Sequence, residues 1–409
     1  MWQHRFDQYY EIGKYDVHLR QIFISTAIMA LFTFFACGYV KQSVTRDFVL
    51  LAGGADRSRT RGARPTDLEG RGLTGGLEIV SDVAEHVGWQ RIKDDVFRAP
   101  TEPTLLAASI GIGAQIALAL FVSLIQMSLF YATTRARHIV FYASIVLLAL
   151  CGFFNGFITS RTLKFFGIYQ WKYAALIAAL IFPCYVLFTL SFADIIESAT
   201  GGTAAIPFSE GLWHYLLWWA LDAPCAYYGA YLGFVKPLGL EPEVGPIKRS
   251  IPQMPWYLRR TAIVGLYGPL IFGSIFYEFG YLMDSIWRSY MLYAMFAILL
   301  VSLILMTVTI ASLSVMVTYQ LLRHQNYDWW WSSFSLGASG GLYMMLYSVY
   351  YMVRYEDMSF LSSDFIYFLT MTLVSACFAA MCGAIAVLSS YLFVERIYRA
   401  SSKGQFVKF

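Results

Sequence analysis

Two acidic residues, Asp222 and Glu278, lie inside long apolar stretches of this chain. A carboxyl group in a hydrocarbon environment costs free energy, so it usually faces a cavity or a partner, such as a cation, a proton or a polar group of another helix. The alternative is a structural role, in which a protonated carboxyl group hydrogen-bonds to one of the many tyrosines. Pro224 frees a backbone carbonyl near Asp222, which slightly favours the functional role over the structural one. Both roles stay open.

The segment GASGG, Gly337–Gly341, matches the G-x-S-x-G pattern of serine nucleophiles. Such a serine, here Ser339, needs a general base within hydrogen-bonding distance. The histidines of the apolar stretches, His138 and His214, should lie at the opposite membrane face, so we predict helix packing at this segment. HExxH, the P-loop and a complete GxGxxG are also absent. We therefore expect no enzyme activity and no catalytic, cofactor-binding or metal-binding residues.

The elements that carry these residues are predicted to be transmembrane helices. The chain is 58% hydrophobic and 14% charged, which leaves too little polar surface for a soluble protein of this size. At about 20 residues per crossing, its apolar stretches predict an all-α polytopic membrane protein with nine transmembrane helices. The predicted spans are 21–40, 103–131, 138–160, 172–193, 211–235, 262–283, 290–322, 331–353 and 364–393. The net charge of +4 is modest, and its cations lie in the predicted cytoplasmic loops. Nucleic-acid binding needs a basic face, so we expect no nucleic-acid partner.

The segment IPQMPWYLRR, Ile251–Arg260, predicts the orientation of these spans. Its prolines interrupt any helix, while its aromatic pair suits the membrane boundary and its two arginines favour the cytoplasmic side. Alternation from this point places 23 of the 30 Lys and Arg residues in the cytosol. The N-terminus is then lumenal and the C-terminus cytosolic. The predicted interface anchors are Trp256, Tyr257, Trp329, Trp330 and Trp331.

The predicted layout has five parts. They are a short lumenal N-terminus (1–20), a first transmembrane helix (21–40), a partly disordered cytosolic loop (41–102), an eight-helix transmembrane bundle (103–394) and a cytosolic tail (395–409). Within the loop, the Gly/Arg-rich residues 53–76 are expected to be disordered. Helical spacing from Leu77 into GWQRIKDDVFRAP predicts a short structured segment against the membrane face, with a solvated linker as the alternative.

Three pairs of glycines recur at a spacing of four residues in the predicted spans. Small residues at this spacing let helices approach closely in lipid, so we predict that all three pairs are helix-packing sites. The pairs are Gly152 with Gly156, Gly229 with Gly233, and Gly337 with Gly341.

Several segments resemble the nonaspanins, the transmembrane 9 superfamily, and follow that family's order along the chain. These segments are GWQRIKDDVFRAP, AAIPF, GAYLGFVK, IPQMPWYLRR, NYDWWW, GLYMMLYSVYY and FVERIYRA. The resemblance implies a nine-span protein of the Golgi, endosome or early secretory pathway that sorts or localises other transmembrane proteins. A different class of function is an ion- or proton-coupled transporter of small molecules that uses Asp222 and Glu278.

The resemblance also implies partners. We expect the lipid bilayer and client transmembrane proteins, with vesicle coat proteins as a further candidate. The family commonly ends in a Lys-x-Asp or Lys-x-Glu signal read by vesicle coats, whereas this chain ends in KGQFVKF. We also expect the chain to lack the family's large N-terminal lumenal domain.

Overall fold

A computed structural model describes residues 19–62, 87–130, 137–200, 208–238, 244–287, 295–355 and 361–402. These residues form helices, one 3₁₀ turn and irregular segments, with no strand among them, which confirms the all-α fold. The helices are α1 (Leu19–Gly62), α2 (Gly88–Arg91), α3 (Pro103–Phe130), α4 (Arg137–Leu150), α5 (Gly152–Phe165), α6 (Trp171–Ala199) and α7 (Phe208–Val235). After a 3₁₀ turn (Trp256–Leu258) come α8 (Arg260–Gly273), α9 (Phe276–Trp287), α10 (Met295–Arg323), α11 (Trp330–Tyr355) and α12 (Leu361–Ser402).

Six stretches of the described helices are long and apolar enough to cross a membrane. They lie in α1, α3, the α4–α5 pair, α6, α10 and α12, and α8 with α9 forms a seventh candidate that is bent by 64°. The other two predicted spans coincide with α7 and α11, which are 28 and 26 residues long but rich in aromatic and small residues. The protein is therefore an integral membrane protein, and the count of nine spans stays a prediction.

The directions of packed helices agree with alternating crossings. Thr33 of α1 lies beside Thr309 of α10, with 3.4 Å between the hydroxyl oxygens. Further along both helices, the Tyr319 hydroxyl donates to Asp47 over 2.5 Å. The helices of predicted spans one and seven therefore run parallel, as two odd-numbered spans should.

Two of the glycine pairs face each other between α5 and α7. A Cβ atom added to Gly156 would lie 1.8 Å from the carbonyl oxygen of Ala226. One added to Gly229 would lie 2.0 Å from the carbonyl oxygen of Phe153. The two backbones are thus too close for any side chain at these positions, which confirms the predicted packing sites.

The third glycine pair packs α11 against α12. A Cβ atom at Gly337 would lie 2.2 Å from the carbonyl oxygen of Cys382, and one at Gly341 would lie 2.5 Å from that of Ser375. The later glycine of the pair contacts the earlier residue of α12, so α11 and α12 are antiparallel. This pair is also a helix-packing site, as predicted.

Segments from distant parts of the chain meet at one end of the bundle, which we call the basic end because Arg98, Arg249, Arg260 and Arg399 lie there. The structured segment predicted in GWQRIKDDVFRAP is confirmed from residue 87, and residues 77–86 lie outside the described ranges. Its Trp89 is buried, and the backbone oxygen of Trp89 accepts a 2.7 Å hydrogen bond from Tyr398. This segment, which precedes α3, is therefore tied to the last helix, α12.

The indole nitrogen of Trp329 donates to the Val96 oxygen over 3.0 Å, and that of Trp331 donates to the Thr101 oxygen over 2.6 Å. Trp329 is 0% exposed and Trp330 is 3% exposed. Their rings stack with centroids 3.9 Å apart. Trp329 and Trp330 are thus core residues, which corrects their prediction as interface anchors. Trp256 is 69% exposed, as an anchor requires, but its position at a membrane boundary stays a prediction.

Two helices extend past the bounds of the predicted layout, which stays a prediction. Helix α1 continues past Val40 to Gly62, and Val44 and Phe48 extend its buried face at helical spacing beyond Val40. It includes residues 53–62 of the stretch expected to be disordered, and residues 63–76 lie outside the described part. The predicted tail likewise begins inside helix α12, where Tyr398 is buried.

Candidate functional site

The side chain of Asp222 lies between α3, α5 and α7 and is 0% exposed. Gln115 of α3 donates from Nε2 to its Oδ1 atom over 2.7 Å. Gly152 of α5 makes room for the carboxyl group, since a Cβ atom there would lie 2.3 Å from Oδ1. The other oxygen, Oδ2, is buried without a hydrogen-bond partner among the described residues. Asp222 is therefore held at one oxygen and has a free bonding position at the other.

A chain of buried polar side chains leads away from Asp222. Asn155 of α5 donates to Oε1 of Gln115 and to the oxygen of Ala178, each over 3.1 Å. The hydroxyl of Thr159 lies 3.4 Å from Oδ1 of Asn155. Sequence reasoning missed Gln115, Asn155 and Thr159, although each is a polar residue inside an apolar stretch. That pattern is the signal that could have found them.

Helix α7 presents a second buried polar group next to Asp222. The indole nitrogen of Trp218, one turn before Asp222, is buried and has no hydrogen-bond partner in the described ranges. Pro224 lies inside α7 and lacks the N–H that would bond to the carbonyl of Ala220. Trp218 Nε1 and Asp222 Oδ2 are thus two buried side-chain atoms, one turn apart on α7, that lack a hydrogen-bond partner among the described residues.

Glu278 lies directly after the break between α8 and α9. Pro269 of α8 cannot donate to the carbonyl of Gly265, and the hydroxyl of Tyr343 donates to that oxygen instead, over 3.2 Å. The helix ends at Gly273 and restarts with a bend of 64°. Glu278 is 3% exposed, and its Oε2 atom has no hydrogen-bond partner in the described part of the protein.

The comparison with known families decides what kind of protein contains these sites. A family model described as Endomembrane protein 70 matches residues 1–362. The chain belongs to this family. Curated relatives carry the name transmembrane 9 superfamily, which confirms the resemblance to the nonaspanins.

Three relatives show the extent of the similarity. Transmembrane 9 superfamily member 10 of Arabidopsis thaliana is 31% identical over 323 residues, which are 79% of this chain and 50% of the relative. Member 4 of Rattus norvegicus is 25% identical over 400 residues, with 98% and 58% covered. Member 2 of Homo sapiens is 28% identical over 323 residues, with 79% and 49% covered. The chain thus spans about half the length of the curated relatives it matches. No solved structure matches it.

In this member of the endomembrane protein 70 family, Asp222 and Glu278 belong to different groups of helices. Helix α7 packs with α4, α5 and α6, whereas α9 packs with α1 and α10. Near Glu278, Phe279 and Met283 join an apolar cluster with Tyr351 and Tyr367 of α11 and α12. Asp222 and Glu278 therefore belong to two separate sites, each with a buried carboxyl group.

The Ser339 hydroxyl is hydrogen-bonded within its own helix in this family member. It donates to the carbonyl of Leu336 over 2.5 Å, and the residue is buried. Gly268 of α8 packs close by, since a Cβ atom there would lie 3.0 Å from the serine oxygen. Ser339 thus takes part in packing α11 against α8, as the sequence predicts.

Proposed function

We propose that this chain is a membrane-trafficking component that sorts or localises other transmembrane proteins in the Golgi and endosomal system. Membership in a family described as endomembrane proteins supports the compartment. The observation that carries the mechanism is the bent span, in which Glu278 has an unpartnered oxygen beside a break in the helix. On this proposal the protein acts by binding, not by catalysis, and its C-terminus is cytosolic.

The surface beside Glu278 suits a transmembrane client. The next residues toward the break, Phe276 and Tyr277, are exposed aromatic side chains. A client helix that packs on these rings and carries a polar side chain would supply the donor that Oε2 lacks. Hydrogen bonds between helices in membranes contribute about 0.6 to 2 kcal/mol. That energy suits reversible capture, which a sorting factor needs. On the cytosolic side, the proposed partners are vesicle coat proteins.

The test replaces Glu278 by Gln, which keeps size and removes the carboxylate. We expect Glu278→Gln to accumulate and melt like the unmodified protein but to leave client transmembrane proteins at the cell surface. The readout is the surface proteome of cells that express each variant. The matched control is Glu102→Gln, because Glu102 is exposed outside the helices. Normal client distribution in Glu278→Gln cells would falsify this role of Glu278.

A second function, ion- or proton-coupled transport of a small molecule, is favoured by the chain of polar side chains at Asp222. A single carboxylate with an open oxygen can bind a proton or a monovalent cation inside a membrane. Purified protein in liposomes would then move solute in response to a pH or ion gradient. Asp222→Asn should abolish that flux, whereas Asp94→Asn, at an exposed residue, should not. Absence of any gradient-driven flux in the unmodified protein excludes this alternative.

A further inference from the structure

A polar cavity of about 360 Å³ opens at the basic end, where α2, the middle of α1 and the end of α10 approach the 3₁₀ turn. We call it the Arg323 cavity. It is lined by Tyr39, Gly88, Tyr257, Gln320, Arg323, His324 and Gln325. Apart from glycine, every lining residue has a polar side chain, and none of these side chains forms a hydrogen bond or ion pair with another described residue. The cavity therefore offers a converging set of unused donors.

The backbone at the end of α10 is strained in a way that brings a side chain to this cavity. Gln325 has a φ of 60°, in the left-handed region that favours glycine. Its N–H bonds to the oxygen of Leu322 and that of Asn326 bonds to Leu321, each over 2.9 Å, which is a helix-ending motif that usually takes glycine. A strained residue that persists in a fold points to a role for its side chain.

Gly88 lets α2 close over the end of α10. A Cβ atom at Gly88 would lie 2.1 Å from the carbonyl oxygen of Arg323 and 3.4 Å from Cγ of Gln325. Any larger residue would push these two segments apart. The cavity wall thus depends on a close backbone approach at one side and on a strained glutamine at the other.

The charge of the cavity favours an anion. The guanidinium of Arg323 has no carboxylate partner in the described part of the chain, because Asp328 pairs with Arg260 and Asp47 accepts from Tyr319. A guanidinium binds a phosphate through two parallel hydrogen bonds, and a histidine can add a third. Amide and phenol groups of the remaining side chains suit the hydroxyl groups of a polyol.

The position of the cavity favours a lipid as the source of that anion. Arg323 is the last residue of the 28-residue apolar stretch that begins at Phe296. The exposed rings of Trp256 and Tyr257 lie in the adjoining turn, and such rings are typical of the headgroup level of a bilayer. Basic pockets between transmembrane helices at this level bind phosphorylated headgroups.

We propose that the Arg323 cavity binds the phosphorylated inositol headgroup of a membrane lipid. Arg323 and His324 hold the phosphate, and Gln320 and Gln325 hydrogen-bond to the inositol hydroxyls. The site is separate from both intramembrane acids, so the proposal does not depend on the sorting function.

The test measures binding of a fluorescent phosphatidylinositol monophosphate to the full chain in phosphatidylcholine nanodiscs. We expect saturable binding that Arg323→Gln weakens by about tenfold or more, because the charge-assisted hydrogen bonds of the guanidinium to the phosphate are lost. Arg259→Gln removes an exposed arginine of the same charge next to Tyr257, and we expect it to leave the affinity unchanged. An equal loss in both variants would show general charge attraction and would overturn the proposal.

Gln325→Gly separates binding from folding. Glycine relieves the backbone strain, so this variant should melt at or above the temperature of the unmodified protein while binding the lipid more weakly. Unchanged lipid binding in Gln325→Gly would show that the Gln325 side chain does not bind the headgroup, and it would contradict the proposal.

Two competitors identify the source of the phosphate. Phosphatidylserine in the nanodisc and inorganic phosphate in solution should each fail to displace the fluorescent lipid. Displacement by phosphatidylserine at the same mole fraction as the fluorescent lipid would indicate an unselective anionic surface. Displacement by inorganic phosphate would indicate a site for free anions. Either result overturns a phosphoinositide site.

Discussion

At the residue scale, Asp47 is an acidic side chain that sequence reasoning did not select and that the structure buries inside the helix bundle. It is buried on α1, where it accepts hydrogen bonds from Tyr319 over 2.5 Å and from the indole nitrogen of Trp89 over 3.3 Å. The three residues join α1, α2 and α10. Asp47 thus has the satisfied bonds of a structural acid, in contrast to the open oxygens of Asp222 and Glu278.

This contrast predicts that Asp47 contributes mainly to stability. Asp47→Ala leaves two buried donors without an acceptor, and each such loss costs about 1 to 3 kcal/mol. We expect a clear fall in the melting temperature of the detergent-solubilised protein. Tyr319→Phe should cost less in the Asp47→Ala background than in the unmodified protein, because its hydroxyl no longer has a partner there. Additive losses in this double-mutant cycle would contradict the assignment.

At the element scale, the contact between α5 and α7 depends on the absence of side chains. Gly156 and Gly229 bring the two backbones together, and the same contact carries Asp222 against Gly152. In lipid, helices gain little from hiding apolar surface, so close packing of this kind supplies much of the association. The polar site at Asp222 therefore exists because small residues let α5 and α7 approach.

We predict that Gly156→Ala destabilises the protein although alanine favours helices. The added Cβ atom would meet the Ala226 oxygen at 1.8 Å, and overpacking of this kind costs about 1 to 3 kcal/mol or more. Gly265→Ala is the matched control, since Gly265 also lies inside a helix but has nothing within 4 Å of an added Cβ atom. It should be neutral or slightly stabilising. Equal melting temperatures for the two variants would contradict this account of the packing.

At the scale of the whole molecule, the basic end joins segments that are far apart in sequence. Arg98 donates to the carbonyl of Gly245 over 2.7 Å, and Tyr327 donates to that of Arg249 over 3.0 Å. Burial, and next the carboxylate of Asp95, raises the pKa of Tyr327, so its hydroxyl stays protonated and remains a donor. Three connecting segments are thus fixed to one another at the basic end.

The orientation of the molecule follows from this charge asymmetry and can be measured. Cations are retained on the cytoplasmic side of a membrane, so the basic end should face the cytosol. A glycosylation acceptor inserted between α6 and α7 should be modified, and one inserted between α7 and the 3₁₀ turn should not. The reverse pattern would show that the basic end faces the lumen.

The sequence alone determined the helical class and the positions of most helices. Backbone groups in a bilayer must bond within their own segment, so an apolar stretch of sufficient length predicts a helix from local information. The role of Gly156 and Gly229 as packing residues was also predictable, because each has a second glycine four residues away on the same helix face. Asp222 and Glu278 were recognisable as unusual for the same local reason.

Only the tertiary structure decided which side chains meet. Tryptophan is a residue type that is common at membrane boundaries. The position of Trp329 in the core, however, depends on Val96, more than two hundred residues earlier. Gln115 and Asn155 become partners of Asp222 only when α3, α5 and α7 assemble. The Arg323 cavity likewise needs α1, α2 and α10 at one place. Contacts between distant segments depend on how whole helices pack, and a single sequence does not encode that choice in any local pattern.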